Sequence, residues 1–407
     1  MSALNHDRYL PWALLGGLGW FFVYADRAVL SPLLHAFGLQ FHVGPDQLGL
    51  ISSAFFLTYT AVQIPAGHLA DRLSPRSLLG AGYVGFGIFI AGTGAAWSYG
   101  ALLGLSALAG AFQGVYYPTQ FAITARRIPE KALPVANAVI TAGMGAGIAG
   151  GYLVAALLAP GDWRIPVRIL GLLTVAVGVW LYLATPSRVE RPGRSESSGV
   201  QRLATRRFAA LLAINFCSLY PFFFLLAWLP YDLGQTHALH GLWLGLAASL
   251  PTIVAIPATI LWSRRAATGR LRRIRVLLAA ALLALLAMGL LSGIWPLMLG
   301  LVLYGLSGKL VLDPMVLSEV AQSLEGAQYG RAYGTLNFVG MLASVVAPAL
   351  SGVLVQHFGS FSPAFVVAAF MLLVALVLSL ALSPPAQVGP VPGTKRPPVA
   401  AEGGGST

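Results

Sequence analysis

The chain has 407 residues, 57% of them hydrophobic and 9% charged, with a mean hydropathy of +0.77. That balance excludes a soluble globular domain and implies a chain that crosses a membrane many times. The net charge of +12 would suit nucleic acid, but the basic residues sit in short gaps between apolar runs, so no nucleic-acid partner is expected.

Twelve runs reach the roughly 20 helical residues that a hydrocarbon core demands. They lie near 10–32, 48–69, 78–97, 101–124, 134–158 and 166–184, then 208–230, 241–262, 276–294, 296–319, 332–355 and 361–383. The runs lack the alternation of a barrel wall and are too long for one, so they are read as helices. The first carries Asp26 and Arg27 without a small-residue cleavage site, so it is expected to stay as a span. Between runs 6 and 7 the segment 185–207, rich in Pro, Gly, Ser and Arg, reads as a linker, and 384–407 reads as a disordered tail. The expected organisation is therefore a 1–184 bundle, the linker, a 208–383 bundle and the tail.

Arginine and lysine set the expected orientation. With the N-terminus inside, nearly all of them fall in inner segments: Arg8, Arg72 and Arg76, Arg126 to Lys131, the six arginines of the linker region, Arg264 to Arg275, Arg331, Lys395 and Arg396. Both termini are then cytoplasmic, in a multi-pass inner-membrane protein. An internal repeat supports two related halves. An offset of 196 pairs Pro118 with Pro314, Gln113 with Lys309 and Val115 with Val311, and an offset of 200 pairs Asn137 with Asn337. Parallel halves around a midplane site are a transporter architecture.

The stretch Gly67 to Arg76, GHLADRLSPR, joins runs 2 and 3. Gly67 permits close helix approach, Asp71 places an anion at a helix end, and Arg72 and Arg76 hold the turn on the positive side. It reads Gly-x-Leu-Ala-Asp-Arg-x-x-x-Arg and resembles the signature between helices 2 and 3 of the major facilitator superfamily. The resemblance extends over about residues 8–383. It implies an all-α membrane protein with twelve transmembrane helices in two pseudo-symmetric six-helix bundles, working by alternating access, and it makes Gly67, Asp71, Arg72 and Arg76 a gating motif. The loop WSRRAATGRLRR, 262–273, has no acid at the corresponding place in the second half.

Two further phrases refine the resemblance. YADRAVLSPLL, Tyr24 to Leu34, is similar to the YLDRxxLS phrase in span 1 of the anion:cation symporter branch, where the Asp takes the proton and the Arg meets the solute's carboxylate. These roles fall on Asp26 and Arg27. That branch carries Arg-x-x-x-Gly-x-x-Glu-x-x-x-x-Pro in span 4, which lies over Ser106, Gly110, Gln113 and Pro118, so both charged members are replaced here. The run GMGAGIAGGYL, Gly143 to Leu153, is similar to a glycine-rich exporter signature, with Ile148 where that motif has proline. Glycines so spaced also serve plain helix packing.

Ionisable groups within spans are costly and mark function. Besides Asp26 and Arg27, run 10 carries Lys309 and Asp313, four residues apart and on one helical face. Aromatic residues available to wall a cavity include Phe21, Tyr24, Tyr59, Tyr116, Tyr117, Tyr220, Phe224 and Trp228, and the in-span amides are Gln63, Gln113, Asn215 and Asn337. The expected solute-binding set is Arg27, Lys309, Tyr24, Tyr59, Gln63, Gln113, Tyr117, Asn215 and Asn337, with Asp26 and Asp313 for proton coupling. Cys217 has no disulfide partner, and the histidines, among them His68, His237 and His240, form no metal-ligand spacing. No cofactor is expected beyond a proton gradient, since a nucleotide-binding lysine loop is missing. The reading is a monomeric proton symporter for a small organic anion, in contact with lipid, solute and protons, and not an enzyme. The alternatives are a proton-coupled exporter of drugs or metabolites and a non-transporting solute sensor.

Overall fold

A computed structural model describes residues 6–72, 74–128, 133–185, 205–263, 269–322 and 329–382. Within them the chain forms fourteen helices and no strand. They are α1 (His6–Val29), α2 (Leu34–Phe41), α3 (Pro45–Arg72), α4 (Pro75–Thr93), α5 (Tyr99–Arg127), α6 (Leu133–Leu158) and α7 (Arg164–Ala184). Then follow α8 (Arg206–Gln235), α9 (Gly241–Ser263), α10 (Arg270–Leu290), α11 (Ile294–Ser307), α12 (Lys309–Gln322), α13 (Tyr329–Phe358) and α14 (Ser362–Leu380). Runs this apolar become helices because lipid offers backbone N–H and C=O groups no partner, and the helix satisfies them from within. Most of the expected linker, 186–204, and the expected tail, 384–407, lie outside the described residues.

Each of the twelve apolar runs falls on one helix or on a broken pair. Helices α7 to α10, α13, α14 and the α11–α12 stretch are long and apolar enough to cross a membrane, and the bent pair α1–α2 adds an eighth such span. Two features were not expected from the sequence. The chain bends by 45° between α1 and α2, at the end of the first run, where Pro32 supplies no N–H and the turn is closed by Ser31 N to Ala28 O (3.2 Å) and Leu33 N to Leu30 O (3.1 Å). The tenth run breaks at Gly308, whose ψ of −162° ends α11 and lets Lys309 begin α12.

The helices pack in two groups. In the first, α1 lies against α6 and α7, α3 against α5, and α4 against α5 and α7; in the second, α8 lies against α13 and α14, α10 against α11 and α14, and α9 against α11 and α12. The groups meet mainly where α3 touches α13 and α6 touches α9. Side chains tie this seam. Ser53 donates to Val345 O at 2.6 Å, Ser31 to Ala227 O at 2.5 Å and Tyr152 to Leu226 O at 2.9 Å. These bonds crowd toward the end of the bundle opposite the α3–α4 hinge.

The glycine-rich run of α6 is used for packing. Gly143, Gly147 and Gly151 fall one turn apart, and a Cβ on each would strike the backbone of Gly17, Phe21 and Ala25 of α1 in turn. The two helices thus touch backbone to backbone. Gly147→Val is expected to cost about 1–3 kcal/mol through overpacking. Thermal melting of the purified protein checks this: an unchanged midpoint would mean that α1 and α6 are not so closely apposed.

Candidate functional site

Consecutive residues on an α-helix point about 100° apart, so α1 sends Asp26 and Arg27 in different directions. Asp26 is fully buried and faces α7, where Thr174 Oγ1 donates to its Oδ2 at 2.6 Å. Its Oδ1 has no hydrogen-bond partner. Arg27 is half-buried and turns toward α3 and α5, where Nε and Nη2 both donate to Gln113 Oε1, the Nε bond measuring 2.7 Å. Four rings surround the guanidinium: Tyr24 and Tyr59, each with its centre at 4.8 Å, Phe56 at 5.3 Å and Phe55 at 5.7 Å. Among the described residues no carboxylate pairs with Arg27.

Small residues make this arrangement possible. A Cβ on Gly114 would come within 2.6 Å of Tyr59 O, so glycine there allows α5 to approach α3 and bring Gln113 to Arg27. The amide Nε2 atoms of Gln113 and Gln63 are buried without an acceptor. Gln63 Oε1 accepts from Asn337 Nδ2 at 3.0 Å, a bond that joins α3 to α13. Phe55, Phe56 and Tyr59 lie along α3 between Ser53 and Gln63, so the Arg27 cage sits between two polar ties across the seam.

The second charged pair forms as its spacing implied: Lys309 Nζ donates to Asp313 Oδ2 within α12. Lys309 also stands 5.2 Å from the centre of the Phe222 ring. Other expected residues fall elsewhere. Asn215 is engaged by Leu336 O at 3.0 Å, tying α8 to α13. The Tyr116 ring packs edge-on to Tyr83 at 4.6 Å, Phe224 meets Phe365 at 5.0 Å, and Trp228 Nε1 donates to Pro348 O at 3.0 Å. The side chains of Tyr117, Gly67, Asp71 and Arg72 lie outside the described set, although the last three residues belong to the final turns of α3. Arg76 opens α4 beyond the Ser74 cap, its guanidinium 4.2 Å from the centre of the Tyr182 ring.

Several contributors were missed by sequence reasoning. Phe55, Phe56 and Thr174 carry no signal of their own among so many apolar and hydroxyl residues. Glu319 did carry one, since an acid near the end of an apolar run needs a partner. Its side chain is 2% exposed and pairs with Arg207 of α8 and, at 3.7 Å, with Arg270 of α10. Glu319 of α12 thus pairs with an arginine of the stretch 262–273, which has no acid of its own. Among the described residues no group of His, Cys, Asp and Glu is placed to hold a metal.

The sequence matches the profile of the Major Facilitator Superfamily over residues 17–318 and again over 209–404. The chain belongs to this superfamily. Members of it that resemble the chain are transporters and not enzymes. It is 25% identical to the voltage-gated purine nucleotide uniporter SLC17A9 of Mus musculus, over 86% of this chain and 83% of that protein. It is 25% identical to the probable sulfoacetate transporter SauU of Cupriavidus necator, over 90% of this chain and 92% of that protein. A crystal structure of a bacterial homologue of the human lysosomal transporter Spinster, inward-facing and occupied, superposes with a TM-score of 0.74 at 16% identity, covering 93% of this transporter and 97% of that chain. That likeness concerns the fold.

Proposed function

We propose that this transporter is a secondary carrier that moves a small organic anion by alternating access, together with a proton. The observation that carries the reading is the state of Arg27: a guanidinium inside the helix bundle, held by a neutral amide and four rings, with no carboxylate against it among the described residues. A half-buried cation within a membrane-spanning bundle and without a counter-ion is costly, and an incoming anion supplies the missing charge. The idle N–H groups of Gln63 and Gln113 are further donors for its oxygens. Sulfoacetate and purine nucleotides, the solutes named for two relatives, are both anions.

Asp26 supplies the proton site in this reading. Among the described residues its carboxyl is buried with a single hydroxyl donor and no paired cation, an environment that treats the charged and neutral forms very differently. Asp313 is the second candidate, because taking up a proton there releases Lys309 from its pair. Either event leaves the interior more positive, so proton uptake strengthens anion binding, the linkage that symport requires. Two six-helix halves, with both termini in the cytoplasm, rock about the seam between α3 and α13 and between α6 and α9. The glycines of α6, engaged with α1, give the exporter alternative no separate support.

Thermal stabilisation of purified protein by a panel of carboxylates, sulfonates, neutral sugars and cationic amines tests the reading, because only ligands that bind the folded form raise the midpoint. Stabilisation by anions, greater at acidic pH, is expected. Stabilisation by amines alone would reverse the assignment. Gating is tested apart from binding through Asp71, the acid of the hinge. Asp71→Asn is expected to preserve anion affinity while slowing uptake about tenfold or more, as loss of a switching contact of 1–2 kcal/mol would do. Uptake at the normal rate would remove the hinge from the mechanism.

A further inference from the structure

The hydroxyl of Thr174, 2.6 Å from Asp26 Oδ2, is the one donor to that carboxylate among the described residues, and both side chains are fully buried. Helix α7 holds this hydroxyl in a fixed frame. A Cβ on Gly171 would lie 2.5 Å from Ala91 N, and one on Gly178 would lie 3.0 Å from Val84 N, so α7 is seated on the backbone of α4 one turn to either side of Thr174. The other ionisable groups of the surrounding helices are turned elsewhere. Arg27 donates to Gln113, Arg168 of α7 to Gly94 O at 2.6 Å, Tyr83 of α4 to Gly19 O and Tyr152 of α6 to Leu226 O at 2.9 Å, while Tyr116 of α5 packs edge-on to Tyr83. Among the described residues no cation pairs with Asp26. Thr174 is thus the polar group through which the protein acts most directly on this carboxyl.

We infer that Thr174 is a positioning residue that sets how tightly Asp26 holds a proton, through a hydroxyl that reverses its hydrogen bond when the carboxyl is protonated. This rests on the reading of Asp26 as the proton site and deepens it. An ionised carboxylate only accepts hydrogen bonds, whereas a protonated one also donates, and a hydroxyl can answer both. With Asp26 ionised, Thr174 donates to Oδ2. When a proton from water adds to Oδ2, that O–H donates to Thr174 Oγ1, and the hydroxyl passes its own hydrogen to a backbone carbonyl one turn back on α7, which a helical threonine can reach. Each state keeps a hydrogen bond, and the bound proton is the only charge that has moved. Loss of the hydroxyl falls more heavily on the ionised state, because hydrogen bonds to charged groups are the stronger ones. A variant without it therefore keeps its proton to higher pH.

Infrared difference spectra of the purified full-length protein, recorded against pH, test this without a solute: they follow the carbonyl band of a protonated carboxyl, and Asp26→Asn identifies the band by removing it. Thr174→Val keeps the branched shape and removes the hydroxyl, whereas Thr174→Ser keeps the hydroxyl and removes a methyl group. The Asp26 midpoint is expected to move up by about one pH unit or more in Thr174→Val, as loss of a hydrogen bond to a charged group implies, and to stay close to wild type in Thr174→Ser. Thr174→Ala, smaller at the same place, is expected to move it in the same direction as valine. A packing role alone gives the reverse order, with valine resembling wild type and serine the damaged variant. An unmoved or lowered midpoint in either Thr174→Val or Thr174→Ala, or an equal shift in Thr174→Ser, overturns the inference while Asp26 remains the proton site. Absence of a titrating band that Asp26→Asn removes overturns the Asp26 reading and this inference together.

Discussion

Arg27→Gln is expected to weaken anion binding about a hundredfold, the consequence of losing two charge-assisted hydrogen bonds of roughly 1.5 kcal/mol each. Glutamine retains a donor and much of the volume, so the cage of Tyr24, Phe55, Phe56 and Tyr59 has little reason to collapse. Arg27→Lys is expected to recover only part of the loss. An ammonium is a point charge, and it cannot present the planar fork that meets Gln113 on one edge and a solute oxyanion on another. Calorimetric titration of both variants checks this. Unchanged affinity in Arg27→Gln would remove the central element of the proposed site, and full recovery in Arg27→Lys would reduce its role to charge alone.

The second large effect is expected at Asp26. Asp26→Asn keeps the shape of the side chain and allows Thr174 to remain hydrogen-bonded, but it removes the group proposed above to gain and lose a proton. Uptake driven by a pH gradient is expected to fall to background in proteoliposomes, while exchange of internal for external solute persists, because exchange needs no net proton movement. Solute affinity is expected to lose its dependence on pH and to rest near the wild-type value at acidic pH, since asparagine mimics the neutral acid. Loss of exchange together with uptake would instead assign Asp26 a structural role between α1 and α7. Proton flux that accompanies solute in wild type is the companion measurement. Its absence would make the carrier a uniporter, the mode named for one relative.

Much of this architecture was legible in the sequence because the bilayer simplifies the physics. A run of about 20 apolar residues has essentially one fate, and the twelve runs fall on helices or broken pairs. The breaks were less legible. Pro32 and Gly308 stand at breaks, but Pro65, Pro221 and Pro348 lie inside continuous helices, so residue type alone does not say which interruption the packing will accept. Charged candidates were found because cost marks them out. Lys309 and Asp313 pair at the spacing that suggested them. What the sequence concealed was direction. Asp26 and Arg27 are neighbours in the chain yet enter different environments, and only the positions of α5 and α7 decide that Gln113 meets one and Thr174 the other. Asn215 stood out because a buried amide needs a partner, and its Nδ2 finds one in the backbone carbonyl of Leu336.

The backbone contact between α1 and α6 has a mechanical consequence. Glycines at 143, 147 and 151 set backbone against backbone at three successive turns, so the pair is expected to move as a single strut carrying Arg27. Such a strut transmits tilt without slippage. A shift of α6 against α9 at the seam is therefore expected to reach the guanidinium through α1, as a rigid lever delivers at one arm what is applied to the other.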